Sequence, residues 1–408
     1  MSMQSTFWNR IEIHLCHDDY SRQKESPESE IVAFFLECTR GAPFSFSFQS
    51  SWRRSRLKHD PYKIPLAILA CLLVHSEQWE KVSFQLLSSE VGCLCAAKGR
   101  LPLLKELEMV IIKDPDYRHT QSMVTSVFED APLLTQSTAT SVFEDAPLLT
   151  QITLCEDSAR RFKFNGSTLT IIDLKFLKRY KNFRAVLRGT INLVELGISD
   201  IRSEDLHIEG GELFYLPHLE RLYIDEVLLL TVLEAPTLQL LSINLWRSDH
   251  SHSSRLANLH DARVLVAFLR RLETKLNTIM IHGGYAAPIE DMLQSMPEVD
   301  RLALHSVTGI ADVFRRLIVP GIGTQELPFT NLIVTWPYFM KKDLYRTDVD
   351  ALHDMVARRN LPGERCPRPK EIIIQSPEGD HTVAARLKSL CRDRGIRFMF
   401  DYELYDDL

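Results

Sequence analysis

The clearest pattern in the chain is a short arrangement of apolar positions that occurs twice in succession near its centre. Residues 217–224 and 236–243 both read P-x-φ-x-x-φ-x-φ, where φ is an aliphatic residue. Three φ positions with this spacing do not form one helical stripe, but they suit a turn followed by a short strand whose alternate residues face a core. The sequence therefore predicts a turn and a strand in each copy, and we call this unit the strand motif.

The strand motif recurs along much of the chain. It starts again at Pro102, Pro147 and Pro297, and it occurs without the proline at Leu193 and Leu276. A repeated unit that cannot bury its apolar face alone must stack on its neighbours. The predicted fold class is therefore α/β: an irregular leucine-rich-repeat-like solenoid with a curved, largely parallel sheet and helices on the convex side.

Strand and helix patterns also alternate outside the strand motifs. Apolar alternation and short apolar runs predict strands at residues 8–15, 44–48, 79–84, 169–174, 332–336, 372–375 and 396–400. Helical periodicity and capping signals predict helices at residues 31–38, 65–75, 261–274, 288–295, 310–319, 349–358 and 381–394. This alternation favours parallel crossovers over hairpins. We expect a single solenoid domain over residues 1–408, with N-terminal repeats at 1–100, a segment with a duplicated insert at 101–157 and C-terminal repeats at 158–408.

The duplicated insert is a repeat of an unusual kind. Residues 125–136 recur letter for letter at 140–151, and only the second copy completes the strand motif, with Ile152 and Leu154. Ser and Ala follow the first copy at the equivalent positions, 137 and 139, where they cannot fill core sites. We therefore expect the first copy to lie outside the stacked core. Three of its residues should be less buried than their second-copy equivalents: Phe128, Leu133 and Leu134 against Phe143, Leu148 and Leu149.

Composition gives no sign of an unusual environment. Apolar residues make up 45% of the 408 residues and charged residues 25%, which is the balance of an ordinary folded protein. The formal charge of −6 gives no global reason to expect a nucleic-acid or membrane partner. The eight cysteines are scattered rather than arranged as a disulfide framework, and the longest apolar run, residues 64–74, is too short to span a bilayer. We expect an intracellular protein, cytoplasmic or nuclear, without a membrane partner.

Motifs that carry chemistry are missing from the sequence. It contains no Gly-rich phosphate loop and no G-x-S-x-G nucleophile motif. Two local groups invite a metal interpretation, His14 with Cys16 and His17, and Cys93 with Cys95, but neither has the paired spacing of a structural zinc site. We expect no catalytic residues, no metal and no cofactor, and hence a protein that is not an enzyme.

One stretch favours a different class of function. Residues 160–188 contain nine basic and five aromatic residues against a single acid, Asp173. Cations interleaved with stacking aromatics are typical of surfaces that bind single-stranded nucleic acid. The alternative is that the aromatics belong to a core and the cations to a solvated face. We favour this second interpretation because the whole chain is acidic, and we keep nucleic-acid binding as the alternative function.

Five stretches of the chain resemble the leucine-rich-repeat-like region of the large F-box protein families of mushroom-forming fungi. They are residues 8–13, 34–48, 75–82, 99–107 and 143–152. In that family an F-box of three short helices usually precedes the first of these stretches and binds the adaptor of an SCF-type ubiquitin ligase, while the repeats are expected to capture substrates. The resemblance implies a substrate-recognition region, or a truncated remnant of one, with no catalytic residues of its own. Because the chain starts close to Trp8, we expect that residues 1–408 do not themselves bind the adaptor.

The strand motif also indicates where a protein partner would bind. Side chains alternate along a strand, so the residue between the last two φ positions points away from the core. We expect these residues and their neighbours to form an exposed sheet face that contacts an unknown protein substrate: Arg221, Tyr223, Asp225, Ser242, Asn244, Met280, His282, Arg301 and His305.

Overall fold

A computed structural model describes most of the chain. The described residues are 10–15, 28–50, 63–112, 141–176, 180–200, 213–245, 254–272, 276–283, 289, 292–293, 299–317, 329–336, 342–358, 369–375 and 381–401. They group into two compact units, unit 1 with residues 1–196 and 200–209, and unit 2 with residues 197–199 and 210–408. The predicted single domain with its three segments stays a prediction.

Strands occur throughout the described residues, and most of them coincide with predicted strands. They are β1 Arg10–Leu15, β2 Phe44–Ser50, β3 Trp79–Leu87, β4 Glu106–Ile112, β5 Gln151–Cys155, β6 Ile171–Lys175, β7 Glu195–Ser199, β8 Phe214–Tyr215, β9 Arg221–Ile224, β10 Leu233–Glu234, β11 Leu240–Asn244, β12 Thr278–His282, β13 Val299–His305, β14 Phe329–Thr335, β15 Glu371–Gln375 and β16 Arg397–Asp401. The pair β8 and β10 was not predicted, since a strand of two residues leaves no alternation to detect.

Helices connect many of the strands. They are α1 Glu28–Cys38, α2 Lys63–Val74, α3 Glu156–Arg161, α4 Tyr180–Leu187, α5 Ser254–Arg271, α6 Ile310–Arg316, α7 Lys342–Arg358 and α8 His381–Asp393, with 3₁₀ helices at Ser76–Gln78, Glu90–Ala97 and Val227–Thr231. The sequence did not predict α3, whose six residues include only one apolar side chain, Ala159. Helix α7 begins seven residues before its predicted start, because its first two turns are mostly polar.

Each unit contains a parallel sheet. In unit 1, strands β1 to β6 pair in the order in which they occur along the chain. In unit 2, strands β9, β11, β12, β13, β14, β15 and β16 do the same, and β8 pairs with β10 separately. The predicted α/β class and the parallel crossovers are therefore confirmed.

The strand motif folds as its spacing predicts. The turn before the strand is alike in the two central copies: the amide of Leu219 donates to the carbonyl of Leu216, and that of Leu238 to Ala235, both at 3.2 Å. The aliphatic positions of all seven occurrences are at most 2% exposed: Leu104, Leu107, Met109, Leu149, Ile152, Leu154, Leu193, Leu196, Ile198, Leu219, Leu222, Ile224, Leu238, Leu241, Ile243, Leu276, Ile279, Ile281, Val299, Leu302 and Leu304. These residues form the buried apolar side of their strands in each unit.

The second copy of the duplicated segment supplies core residues, as predicted. Phe143 and Leu149 are buried, and the copy leads directly into β5. Leu148, in contrast, is 44% exposed. It occupies a variable position of the strand motif, one residue before the buried aliphatic position. The first copy, with Phe128, Leu133 and Leu134, lies outside the described residues, so its lower burial stays a prediction.

Candidate functional site

The face of the unit 2 sheet opposite the core carries three rows of side chains, and we call it the outer face. The middle row follows the register from strand to strand and consists of Tyr223, Ser242, Met280, Ala303, Ile333, Ile373 and Met399. From β12 onward every member of this row is apolar. Parallel strands are spaced about 4.8 Å apart, so the five apolar members form a strip about 19 Å long.

Two polar rows flank the middle row. Towards the start of the strands lies the arginine row, made of Arg221, Leu240, Thr278, Arg301, Asn331, Glu371 and Arg397. Towards the end of the strands lies the histidine row, made of Asn244, His282, His305, Thr335, Gln375 and Asp401. The outer face is therefore an apolar strip between a row with three guanidinium groups and a row of mainly neutral polar groups.

Most of the predicted site residues lie on this face and retain contact with solvent. Arg221 and Arg301 are exposed, and partly exposed positions are Tyr223, Asp225, Asn244, Met280, His282 and His305. Ser242 is buried, and so is Ala303 in the same row. Both side chains are short and lie between longer neighbours of the middle row, which lowers them below the solvent-contact surface. The expectation that this row is exposed is therefore wrong at these two positions.

Two imidazole rings stack at the centre of the histidine row. His282 and His305 are directly paired across β12 and β13, with ring centroids 4.5 Å apart and planes inclined by 8°. Nε2 of His305 is buried and has no hydrogen-bond partner among the described residues. Burial, together with the neighbouring His282, lowers the pKa of His305 to about 4. Burial also lowers the pKa of His282, although Asp225 opposes that shift. The pair is therefore neutral at pH 7.

Sequence reasoning missed the part of the middle row on the last three strands. Ile333, Ile373 and Met399 extend the strip, and each is partly exposed. The strands themselves were predicted, but β15 reads Glu-Ile-Ile-Ile-Gln and gives no sign of which isoleucine faces the core. The register identifies the outer residue of each strand: Ala303 of β13 pairs with Ile333 of β14, which in turn pairs with Ile373 of β15.

The equivalent row of unit 1 is polar. It consists of Ser47, Ser83, Glu108, Thr153 and Asp173, in register on β2 to β6. Part of this row borders a depression of about 520 Å³, in which the Ser83 hydroxyl donates to Glu108 Oε2 at 2.8 Å. A parallel sheet of this kind therefore does not require apolar side chains on its outer face.

The basic and aromatic stretch, residues 160–188, contributes several of its aromatic rings to the interior. Phe162 and Phe183 are buried, and Phe162 packs edge-on against Phe143 at 5.1 Å between ring centroids. Arg161 donates to the carbonyl of Ser88 at 3.2 Å. Phe176 is exposed, whereas Lys178 and Arg179 lie outside the described residues. At least two of the five aromatics are thus held in the core and cannot stack on bases.

One buried carboxyl group with a raised pKa belongs to helix α7 rather than to the outer face. Asp348 of α7 is buried and accepts hydrogen bonds from the Ala311 amide and from Trp336 Nε1, each at 3.1 Å. Burial raises the pKa of Asp348 to about 6, although both hydrogen bonds act in the opposite direction. Its oxygens hold the first turn of α6 against the end of β14, which is a structural role.

Of the cysteines that suggested a metal site, Cys93 is a packing residue. Cys93 is fully buried, and burial raises the pKa of its thiol. A protonated, buried thiol is a poor ligand or nucleophile at neutral pH. His14 lies in β1, while Cys16 and His17 are outside the described residues. Within those residues no group of three or more His, Cys, Asp or Glu side chains is placed to hold a metal ion.

Comparison with known proteins adds no family assignment. No protein-family model matches the chain, and no curated protein is significantly similar to it. In the described part of the chain no helix is long and apolar enough to cross a membrane. The F-box family resemblance stays a prediction.

Proposed function

We propose that the protein is a non-enzymatic protein-interaction scaffold built from leucine-rich-repeat-like units, and that its binding surface is the outer face of unit 2. The observation that carries the proposal is the apolar middle row from Met280 to Met399. Partly exposed apolar side chains in one strip, interrupted at the buried Ala303 and rimmed by polar residues, are a typical feature of protein-binding surfaces. The family resemblance suggests the specific role of a substrate-recognition region of an F-box-type ubiquitin-ligase receptor.

The contrast between the two units supports this assignment. Both units present parallel strands with a largely buried core face, yet unit 1 has hydroxyl and carboxylate groups where unit 2 has aliphatic ones. Because the fold tolerates polar residues at these positions, the aliphatic row of unit 2 needs another explanation. Recognition of an apolar partner surface provides one.

Affinity purification from the native host with a matched pair of variants tests the proposal. The binding variant carries Ile333→Thr and Ile373→Thr, which keep β-branched side chains in the strands but remove apolar area. The control variant carries Ser47→Ala and Ser83→Ala on the equivalent row of unit 1. A set of partners retained by the wild type and the control but lost by the binding variant supports the proposal. Equal partner sets for all three proteins would contradict it.

A second measurement concerns the ubiquitin-ligase role. Residues 1–408 are expected not to bind the SCF adaptor in a pull-down, because they lack a sequence that resembles an F-box. Stoichiometric adaptor binding by this chain would contradict that expectation.

A further inference from the structure

The spacing of the apolar strip restricts the kind of segment that fits it. From Met280 to Met399 the strip crosses four strand-to-strand intervals, or about 19 Å. A helix laid across the strands presents one side chain every 3 or 4 residues, which corresponds to about 5.3 Å along its axis. In an extended peptide the side chains on one face repeat about every 6.7 Å along the chain.

These distances discriminate between the two conformations. Over four intervals the side chains on one face of a helix advance about 21 Å, against about 19 Å for the strip. The difference is less than half the spacing between two strands, and a modest tilt of the helix removes it. An extended peptide advances about 27 Å and is out of step by more than one whole strand.

The charges beside the strip determine the orientation of such a helix about its axis. Arg301 and Arg397 are both exposed on the arginine row. Arg397 forms an ion pair with Glu371 of the same row, with 3.3 Å between Nε and Oε1. On the opposite side the stacked His282 and His305 provide no positive charge at pH 7. Acidic groups on a partner are therefore favoured on the side of Arg301, because opposite charges steer association and set register.

We propose that the outer face of unit 2 binds an amphipathic α-helix of a partner protein, about four turns long, whose apolar face lies on the middle row and whose acidic flank faces Arg301. This inference rests on the proposed function, and it specifies the secondary structure and charge of the partner segment. The helix lies across the strands from Met280 to Met399, with apolar anchors at positions i, i+3 or i+4, i+7, i+10 or i+11, and i+14.

Selection from a displayed library of random 16-residue peptides tests the proposal. Selection uses the full chain, with counter-selection against the Ile333→Thr/Ile373→Thr variant, so that only binders dependent on the strip are retained. We expect enriched peptides to carry apolar residues at helical spacing with Asp or Glu along one flank, and to gain helical circular dichroism on binding. Arg301→Glu should weaken these peptides about tenfold in fluorescence anisotropy, and the loss should shrink at high salt.

Other outcomes separate failure of this inference from failure of the proposed function. Strip-dependent peptides with alternating apolar residues and no induced helix would refute the helical partner and leave the scaffold intact. If no enriched peptide depends on the strip, while the variant keeps the urea midpoint of the wild type, both proposals are wrong. If the wild-type chain sediments as a dimer and the variant as a monomer, the strip binds a second copy of the chain and the helix proposal fails.

Discussion

Two adjacent leucines in the second copy of the duplicated segment provide a sharp test of the strand motif. Leu149 is 1% exposed and Leu148 is 44% exposed, although they are identical in chemistry and next to each other. Truncation of a fully buried leucine removes its transfer free energy and leaves a cavity, so Leu149→Ala should lower the free energy of unfolding by ~2–5 kcal/mol. Leu148→Ala should change it by less than about 1 kcal/mol, because the side chain is already largely hydrated.

The duplication itself supplies a second pair of controls. Leu133 and Leu134 have the same local sequence as Leu148 and Leu149, but the strand motif assigns them no core site. Leu134→Ala is therefore expected to cost less than about 1 kcal/mol. Deletion of residues 125–139 should leave stability unchanged within about 1 kcal/mol, since loop-closure entropy grows only logarithmically with loop length.

The assay must report locally, because repeat proteins need not unfold as one cooperative unit. Urea denaturation followed by circular dichroism gives the global midpoint, and hydrogen exchange of the β4, β5 and β6 amides gives the local free energy of opening. The reasoning is refuted if Leu134→Ala costs as much as Leu149→Ala, or if the deletion destabilises β5 by several kcal/mol. Either result would mean that the first copy occupies the core.

Three further predictions concern groups outside the strand motif. Because the folded pKa of His305, about 4, lies below the ordinary value of 6.5, stability should fall as pH drops from about 6.5 towards 4; His305→Phe should reduce this loss in urea titrations, and the exposed His218→Gln should not. Because the folded pKa of Asp348, about 6, lies above its ordinary 3.8, this carboxyl should add stability as pH falls from 7 towards 4; an unchanged pH profile in Asp348→Asn would contradict the assignment. Single-stranded nucleic acid should bind no more tightly than about 10 µM at physiological salt; a tighter, salt-sensitive complex lost in Lys178→Ala/Arg179→Ala would favour the alternative function.

The sequence predicted most strands and long helices because their apolar periodicity is local. A buried strand flanked by a turn needs no knowledge of its neighbours, and the motif at residues 236–243 contains the whole signal. The composition of the outer face is not local in this sense. Side chains on adjacent strands become neighbours only through the register, so the row from Met280 to Met399 exists only once the sheet is assembled.

Uniform aliphatic runs explain the remaining errors at the site. In Leu332-Ile333-Val334 the first and third residues are buried and the second is partly exposed, but all three have similar hydrophobicity. Side-chain size produced a different error at Ser242, which faces outward yet is too short to reach solvent. The sequence pattern predicts on which side of a sheet a side chain lies, but it does not predict how far the neighbouring side chains extend and shield it from solvent.

The same run of residues shows how folding and binding can be separated by experiment. Leu332 is fully buried, so Leu332→Ala should lower the free energy of unfolding of unit 2 by ~2–5 kcal/mol. Ile333 is partly exposed on the outer face, so Ile333→Thr removes little buried area and should cost less than about 1 kcal/mol while it weakens any complex that uses the strip. The core face carries buried residues in strands β2 to β6 and β11 to β15, whereas the outer face of unit 1 shows that polar residues are compatible with this kind of sheet. A large stability loss on Ile333→Thr would mean that the strip is part of the folding core, and the argument for a binding surface would lose its basis.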